Sequence, residues 1–126
     1  MTDRTGLPRP LPTRGPRHLI ASAIHSMGGA RRLWRETAFR HELAGGAAGL
    51  VLLIAVQASP AEIAGAAILF LLLAATEALN TAIEVIVDHL TPHWAEFARD
   101  AKDLGSFAVL CMILANVLYL GYVVLI

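Results

Sequence analysis

The apolar residues of this chain change their spacing four times, and each change predicts an element. From residue 17 to about 38, Leu19, Ile20, Ala23, Ile24 and Met27 recur at helical spacing and gather on one face. A Gly28-Gly29 pair then offers a break, after which Leu33, Trp34 and Phe39 continue the apolar contacts opposite Arg31, Arg32 and Arg35. A helix that is basic on one side and Trp-bearing on the other lies in a membrane interface. Residues 39–58 read as a first spanning helix, with Leu43 to Ala58 its apolar part and Gly45 and Gly49 a small-xxx-small pair for close helix packing. Ser59-Pro60 makes a turn and a helix start, with Glu62 in the first turn where the dipole favours an acid. A second span follows over 61–90, roughly 30 residues and about 45 Å long, more than a hydrocarbon core requires. Thr91-Pro92 ends it, residues 93–102 read as a polar connection, and 104–126 carry no charge and form a third span. The fold expected is therefore all-α and membrane-embedded: a surface helix followed by three transmembrane helices.

The second span departs from its own pattern near its end. Ala74 to His89 reads AATEALNTAIEVIVDH. On a helix, Glu77, Asn80, Glu84 and Asp88 fall at about 0°, −60°, −20° and +20°, one narrow polar stripe that Thr81 extends. Ionisable groups in a spanning segment are costly, so they face a protein interior or polar cavity and have a task there. Because the helix is longer than the hydrocarbon, this stripe sits in the half that emerges into headgroups and water.

Composition and charge sharpen the picture. The chain has 126 residues, one domain by length, and its apolar fraction is 56% with a mean hydropathy of +0.61, too high for an ordinary soluble domain. The net charge is zero, yet eight of the ten Lys and Arg precede residue 41 and the other two are Arg99 and Lys102. The loop at 57–61 has none, so the positive-inside rule places the N-terminus and the 91–103 connection in the cytoplasm and the C-terminus outside. Residues 1–16, with four prolines and Arg4, Arg9 and Arg14, read as a disordered tail able to meet anionic headgroups, and no signal peptide is expected there. No nucleic-acid partner is expected. The single cysteine, Cys111, excludes an intrachain disulfide and reads as a small buried apolar side chain.

Glu36, the lower end of the second span and Lys102-Asp103 thus converge at the cytoplasmic face. Acids, an Asn, a Lys and arginines at a membrane surface suit a metal-bound polyphosphate, because Mg²⁺ takes a few carboxylates together with phosphate oxygens and water. Phosphoryl transfer also needs positive charge near the phosphates and a carboxylate to accept the attacking hydroxyl's proton. Glu77 and Glu84 are about 10.5 Å apart along the axis, so one can sit at headgroup depth while the other meets a water-soluble reactant. The same intramembrane acids would serve a proton or ion pathway, and the pattern alone leaves both open.

Three stretches narrow the choice. Glu77 to Asp88 (EALNTAIEVIVD), Ala98 to Ser106 (ARDAKDLGS) and Arg35 to Glu42 (RETAFRHE) together resemble the small prokaryotic diacylglycerol kinase family, over about residues 17 to 126. The resemblance implies a homotrimeric bundle in the bacterial cytoplasmic (inner) membrane, with active sites shared between subunits, that transfers phosphate from Mg-ATP to a lipid. It implies Glu77 as the general base, Glu36 and Glu84 as ligands of the divalent ions, and Asn80 as a support beside Glu77. It places Arg17, Lys102 and Asp103 against the nucleotide and His93, Trp94 and Ala95 near the adenine. Arg40, Glu42 and Ser106 match positions near the lipid headgroup, along with Glu77.

The acceptor expected first is diacylglycerol, giving phosphatidic acid; undecaprenol, with the same primary hydroxyl, is the alternative within that chemistry. A small oligomeric proton or ion transporter is the alternative of another class, and it would have no use for Glu36, Lys102 and Asp103 outside the hydrocarbon. Plainer structural roles stand beside these. Asp88 caps its helix or pairs with Arg99, His41 snorkels, His89 and His93 are interfacial polar residues, and Asn116 bonds within the bundle.

Overall fold

The structure is a computed structural model that describes the backbone of residues 16–126 and the side chains of 18–126; the Pro/Arg tail and the Arg17 side chain lie outside the described residues. Four helices follow one another: α1 (Pro16–Leu33), α2 (Thr37–Ala55), α3 (Pro60–Leu90) and α4 (Glu96–Leu125). The chain divides into two units, Met1–Arg32 and Leu33–Ile126.

In the first unit α1 runs straight through Gly28-Gly29, so the expected break does not occur. Gly lowers helix propensity without forbidding the helix. Without that break Arg31 falls about 120° from Leu19, between Ile20 and Ile24 on the apolar face and not opposite it. Leu19, Ile20, Ile24 and Met27 are all exposed on that face, the arrangement of a helix that lies in an interface.

In the second unit, α2, α3 and α4 are each long and apolar enough to cross a membrane. The protein is thus an all-helical membrane protein. α3 packs chiefly on α4, and α2 rests more lightly on both. The helices register through a few small-residue contacts. A Cβ on Gly65 would collide with the Tyr119 hydroxyl, and one on Gly46 would come within 2.5 Å of the Phe70 ring. The small residues expected at Gly45 and Gly49 matter less: nothing approaches Gly45, and Gly49 meets only Leu120 in ordinary contact. Two hydrogen bonds fix the pairing of α3 with α4. Tyr119 donates to the Glu62 carbonyl at 3.1 Å, and Asn116 Nδ2 to the Leu69 carbonyl at 3.1 Å. Asn116 also donates to Met112 O at 2.8 Å, so its half-buried amide is used within the bundle as expected, whereas Cys111 of the same helix, expected to be buried, is exposed.

The α2–α3 connection is short because both helix ends are closed. Gln57 N–H donates to Ile54 O and Ala58 N–H to Leu53 O, the paired bonds of a Schellman motif. Gln57 therefore adopts a positive φ of 57°, a position that favours glycine. Ser59 then caps α3: its hydroxyl accepts from Glu62 N–H, and Glu62 accepts from Ser59 N–H at 2.6 Å, a capping box with Pro60 at the first helical position.

At the other end α4 begins at Glu96, well before the residue-104 start expected from hydropathy. Residues 96–103 are charged but helix-competent, with Glu96 in the first turn and Ala98 buried. Polarity ends a hydrocarbon span; it does not end a helix. The connection shrinks to Thr91–Ala95. Likewise α2 stops at Ala55, and Gln57 and Ala58 belong to the turn.

Gln57→Gly is expected to raise stability in detergent by about 0.5–1 kcal/mol, by relieving the left-handed backbone cost. Thermal unfolding in micelles measures it; an unchanged or lower midpoint would mean that the Schellman turn is not the solution conformation.

Candidate functional site

The rise of 1.5 Å per residue fixes the depth of each polar group. Counting from Pro60, Glu77 lies about 26 Å along α3, just inside the far boundary of a ~30 Å hydrocarbon core. Glu84 and Asp88 are beyond it. Counting back from Leu125, Gly105 lies about 30 Å along α4, at the same boundary, and Lys102 and Asp103 are past it. The α2 start at Thr37 completes the level, because the Gly46–Phe70 contact and antiparallel rise set Glu42 beside about Ala74. The three helices thus bring the acids to one end of the bundle.

On α3 the stripe is where the sequence places it. Glu77, Asn80 and Thr81 are buried, with Glu77 only 5% exposed, although the helix as a whole is mostly exposed. Glu84 is half-buried. Asn80 Nδ2 donates to Glu84 Oε1 at 3.2 Å, so Asn80 bonds to the carboxylate one turn below it and not to Glu77. Its other amide atom, Oδ1, is buried with no hydrogen-bond partner and faces Gly105 of α4. A Cβ at Gly105 would strike that oxygen. Gly105 is thus a residue of the site that carries no chemistry of its own. The motif around Lys102 contains it, but only helix packing reveals its partner.

Two further carboxylates enter from α2. Glu36 occupies the N-cap position, half-buried, with extended backbone and no side-chain bond to the helix it starts. Glu42 is half-buried, and its Oε2 is buried without a hydrogen-bond partner. Among the described residues no three His, Cys, Asp or Glu side chains are close enough to hold a metal by themselves. Glu36 and Glu84 fit a hard cation only as a partial oxygen shell, of the kind that phosphate oxygens and water complete.

Lys102 brings a cation to the same end of the bundle. Its Nζ donates to Asp88 Oδ1 at 2.5 Å, joining the end of α3 to the first turns of α4. Asp88 therefore pairs neither with Arg99 nor with its own helix end. Arg99 instead contacts Asp100 at 3.1 Å and Asp103 at 4.0 Å. The helical start of α4 explains the difference: it sets Arg99 and Asp103 four apart on one face and turns Lys102 toward α3.

The remaining expected residues are not gathered in. Asp103, His93 and Trp94 are exposed, and Ala95 is the extended residue before α4. Arg40 is exposed and donates to Thr37 Oγ1 at 3.2 Å, and Ser106 is exposed beside Gly105. Arg17 lies at the start of α1, its side chain outside the described residues.

Between α2, α3 and α4 runs an apolar groove of about 690 Å³, with Phe70, Asn116 and Tyr119 among its walls and His41 and Glu42 at its polar end. An apolar groove with a glutamate among its walls suits a molecule that is mostly hydrocarbon.

The sequence matches the family described as prokaryotic diacylglycerol kinase over residues 24–125. It is 51% identical over 125 residues to a diacylglycerol kinase from Sinorhizobium sp, covering 98% of this chain and 91% of that one. It is 36% identical over 109 residues to the diacylglycerol kinase of Escherichia coli strain K12, covering 84% and 88%. Identity to the diacylglycerol kinase of Haemophilus influenzae is 35% over 105 residues, covering 80% and 89%.

Gly105→Ala tests the close approach of α3 and α4. Helix propensity gains ~1 kcal/mol from the change, and displacing Asn80 costs about as much. Thermal stability is therefore expected to move by less than about 1 kcal/mol while the Asn80 side-chain amide resonances shift. Unmoved Asn80 resonances would show that the two helices are not packed at this point.

Proposed function

The chain belongs to the prokaryotic diacylglycerol kinase family and is a membrane-embedded lipid kinase; from that premise we propose that it transfers the γ-phosphoryl group of Mg-ATP to the hydroxyl of diacylglycerol, with Glu77 as general base. The observation that carries this reading is the placement of Glu77: a buried carboxylate near the hydrocarbon boundary, on the stripe that Asn80 and Glu84 continue toward water. The names of the relatives support diacylglycerol as the acceptor.

In this reading the lipid enters from the bilayer, its tail along the apolar groove and its head near Glu42, Arg40 and Ser106. Glu77 accepts the hydroxyl proton as the lipid oxygen attacks the γ-phosphorus in line with the departing ADP oxygen. The bond to ADP breaks as the new ester bond forms, leaving phosphatidic acid, ADP and a protonated Glu77 that returns its proton to water. Glu36 and Glu84 hold the divalent ion, and Asn80 fixes the direction of Glu84 through its amide. When bound, that ion neutralises charge on the phosphates. Lys102 supplies a fixed positive charge at the water side, Asp103 and Arg17 meet the nucleotide, and residues 93–95 border the adenine. The N-terminus and the 91–95 connection then face the cytoplasm across the inner membrane, where ATP is, with the C-terminus outside.

The extensive apolar surface left on all three spans, and the half-open acid cluster, support a homotrimer whose subunits complete each other's sites. In that arrangement, mixing Glu77→Gln chains with chains mutated at a residue this subunit does not bring to its own α3 stripe, Asp103→Asn, restores part of the activity. No recovery after verified subunit exchange would mean that each chain holds its whole site.

The direct test is transfer of labelled phosphate from Mg-ATP to diacylglycerol and, separately, to undecaprenol in mixed micelles. Diacylglycerol is expected to be phosphorylated, and Glu77→Gln to lower kcat about 10²- to 10⁴-fold with helix content and oligomer size unchanged. Transfer to undecaprenol alone would reassign the acceptor. Transfer to neither lipid by folded protein would overturn the mechanism.

A further inference from the structure

Asp88 stands apart from the acids to which the mechanism gives a task. It lies in the last turn of α3, where the helix dipole disfavours a negative charge. Its contact with Lys102 is exposed, with the aspartate side chain 65% and the lysine side chain 37% accessible. Exposed ion pairs contribute little to stability, so holding the helices together is a weak account of the contact. Arg99 is near in sequence to Lys102 and carries the same charge, yet it is engaged by Asp100 and Asp103. What the contact does fix is the direction of a long, flexible side chain whose ammonium has three donors. One donor is used by Asp88, and two remain.

The position is as telling as the bond. Asp88 follows Glu84 by one helical turn, about 6 Å farther from the hydrocarbon, on the same stripe. The ammonium is thereby held just to the water side of the carboxylate assigned to the metal. We propose that Asp88 is a positioning residue, which orients Lys102 toward the phosphates of the nucleotide. This inference rests on the reading of Lys102 as a nucleotide contact, and it gives Asp88 a role in nucleotide affinity that touches neither the lipid nor the transferred group.

Steady-state kinetics with Mg-ATP and diacylglycerol on Asp88→Asn, Asp88→Glu, Lys102→Met and the Asp88→Asn/Lys102→Met double variant decide the matter. Asp88→Asn is expected to raise KM for ATP about three- to tenfold, with kcat and KM for the lipid within about twofold of wild type. Asp88→Glu should restore most of the affinity, and Asp88→Asn should have no further effect once Lys102 is gone. If Lys102→Met leaves KM for ATP unchanged, the nucleotide role of Lys102 fails. If Lys102→Met raises KM but Asp88→Asn does not, or lowers it, the positioning role alone fails. Loss of fold in both Asp88 variants, followed by helix content and elution volume, overturns it in favour of a structural staple.

Discussion

Everything in this protein answers to one constraint: a carboxylate, Glu77, held at the edge of hydrocarbon. A charge there is expensive, and the position of Glu77 near the end of the span lowers that cost. α3 is long enough to pass beyond the membrane, so Glu77 falls at the level where lipid gives way to headgroups. The same helix carries Asn80, Glu84 and Asp88 outward from it, a polar path from the lipid boundary to water. The other helices are cut to match. α2 starts at that level with Glu36, and α4 crosses it at Gly105.

The close packing of α3 on α4 serves that arrangement. A bundle with little polar surface has few ways to fix its register, and here two interior hydrogen bonds and two glycine contacts do so. Tyr119 and Asn116 pin the outer and middle thirds. Gly105 lets Asn80 lie against α4, whereas the exposed contact of Asp88 with Lys102 adds little to that register. A rigid register matters for phosphoryl transfer, because most of its catalysis is positioning and charge.

The helices themselves contribute chemistry by where they begin. α4 starts eight residues outside its apolar run, and that extension carries Arg99, Lys102 and Asp103 on a defined surface instead of a loose loop. A short connection, Thr91–Ala95, follows from it. Lys102 of α4 then meets Asp88 of α3, while Arg99 stays with Asp100 and Asp103 of its own helix.

The sequence by itself determined the number of spans, the N-terminal helix α1, the turn at Ser59-Pro60 and the polar stripe. Each is a local matter of periodicity, hydropathy or capping, and local physics is legible in one dimension. The family resemblance also named Glu77, Asn80, Glu84, Lys102 and Asp103 from spacing on single helices. What the sequence could not decide was which faces meet. The partner of Asp88 depended on where α4 begins, which hydropathy misplaced because charge ends a span without ending a helix. The bond of Asn80 to Glu84, the contact of Gly46 and not Gly45 with α3, and the role of Gly105 depended on rotation and register between helices. Those are settled only when side chains compete for the same space, a three-dimensional condition that no pattern along the chain contains.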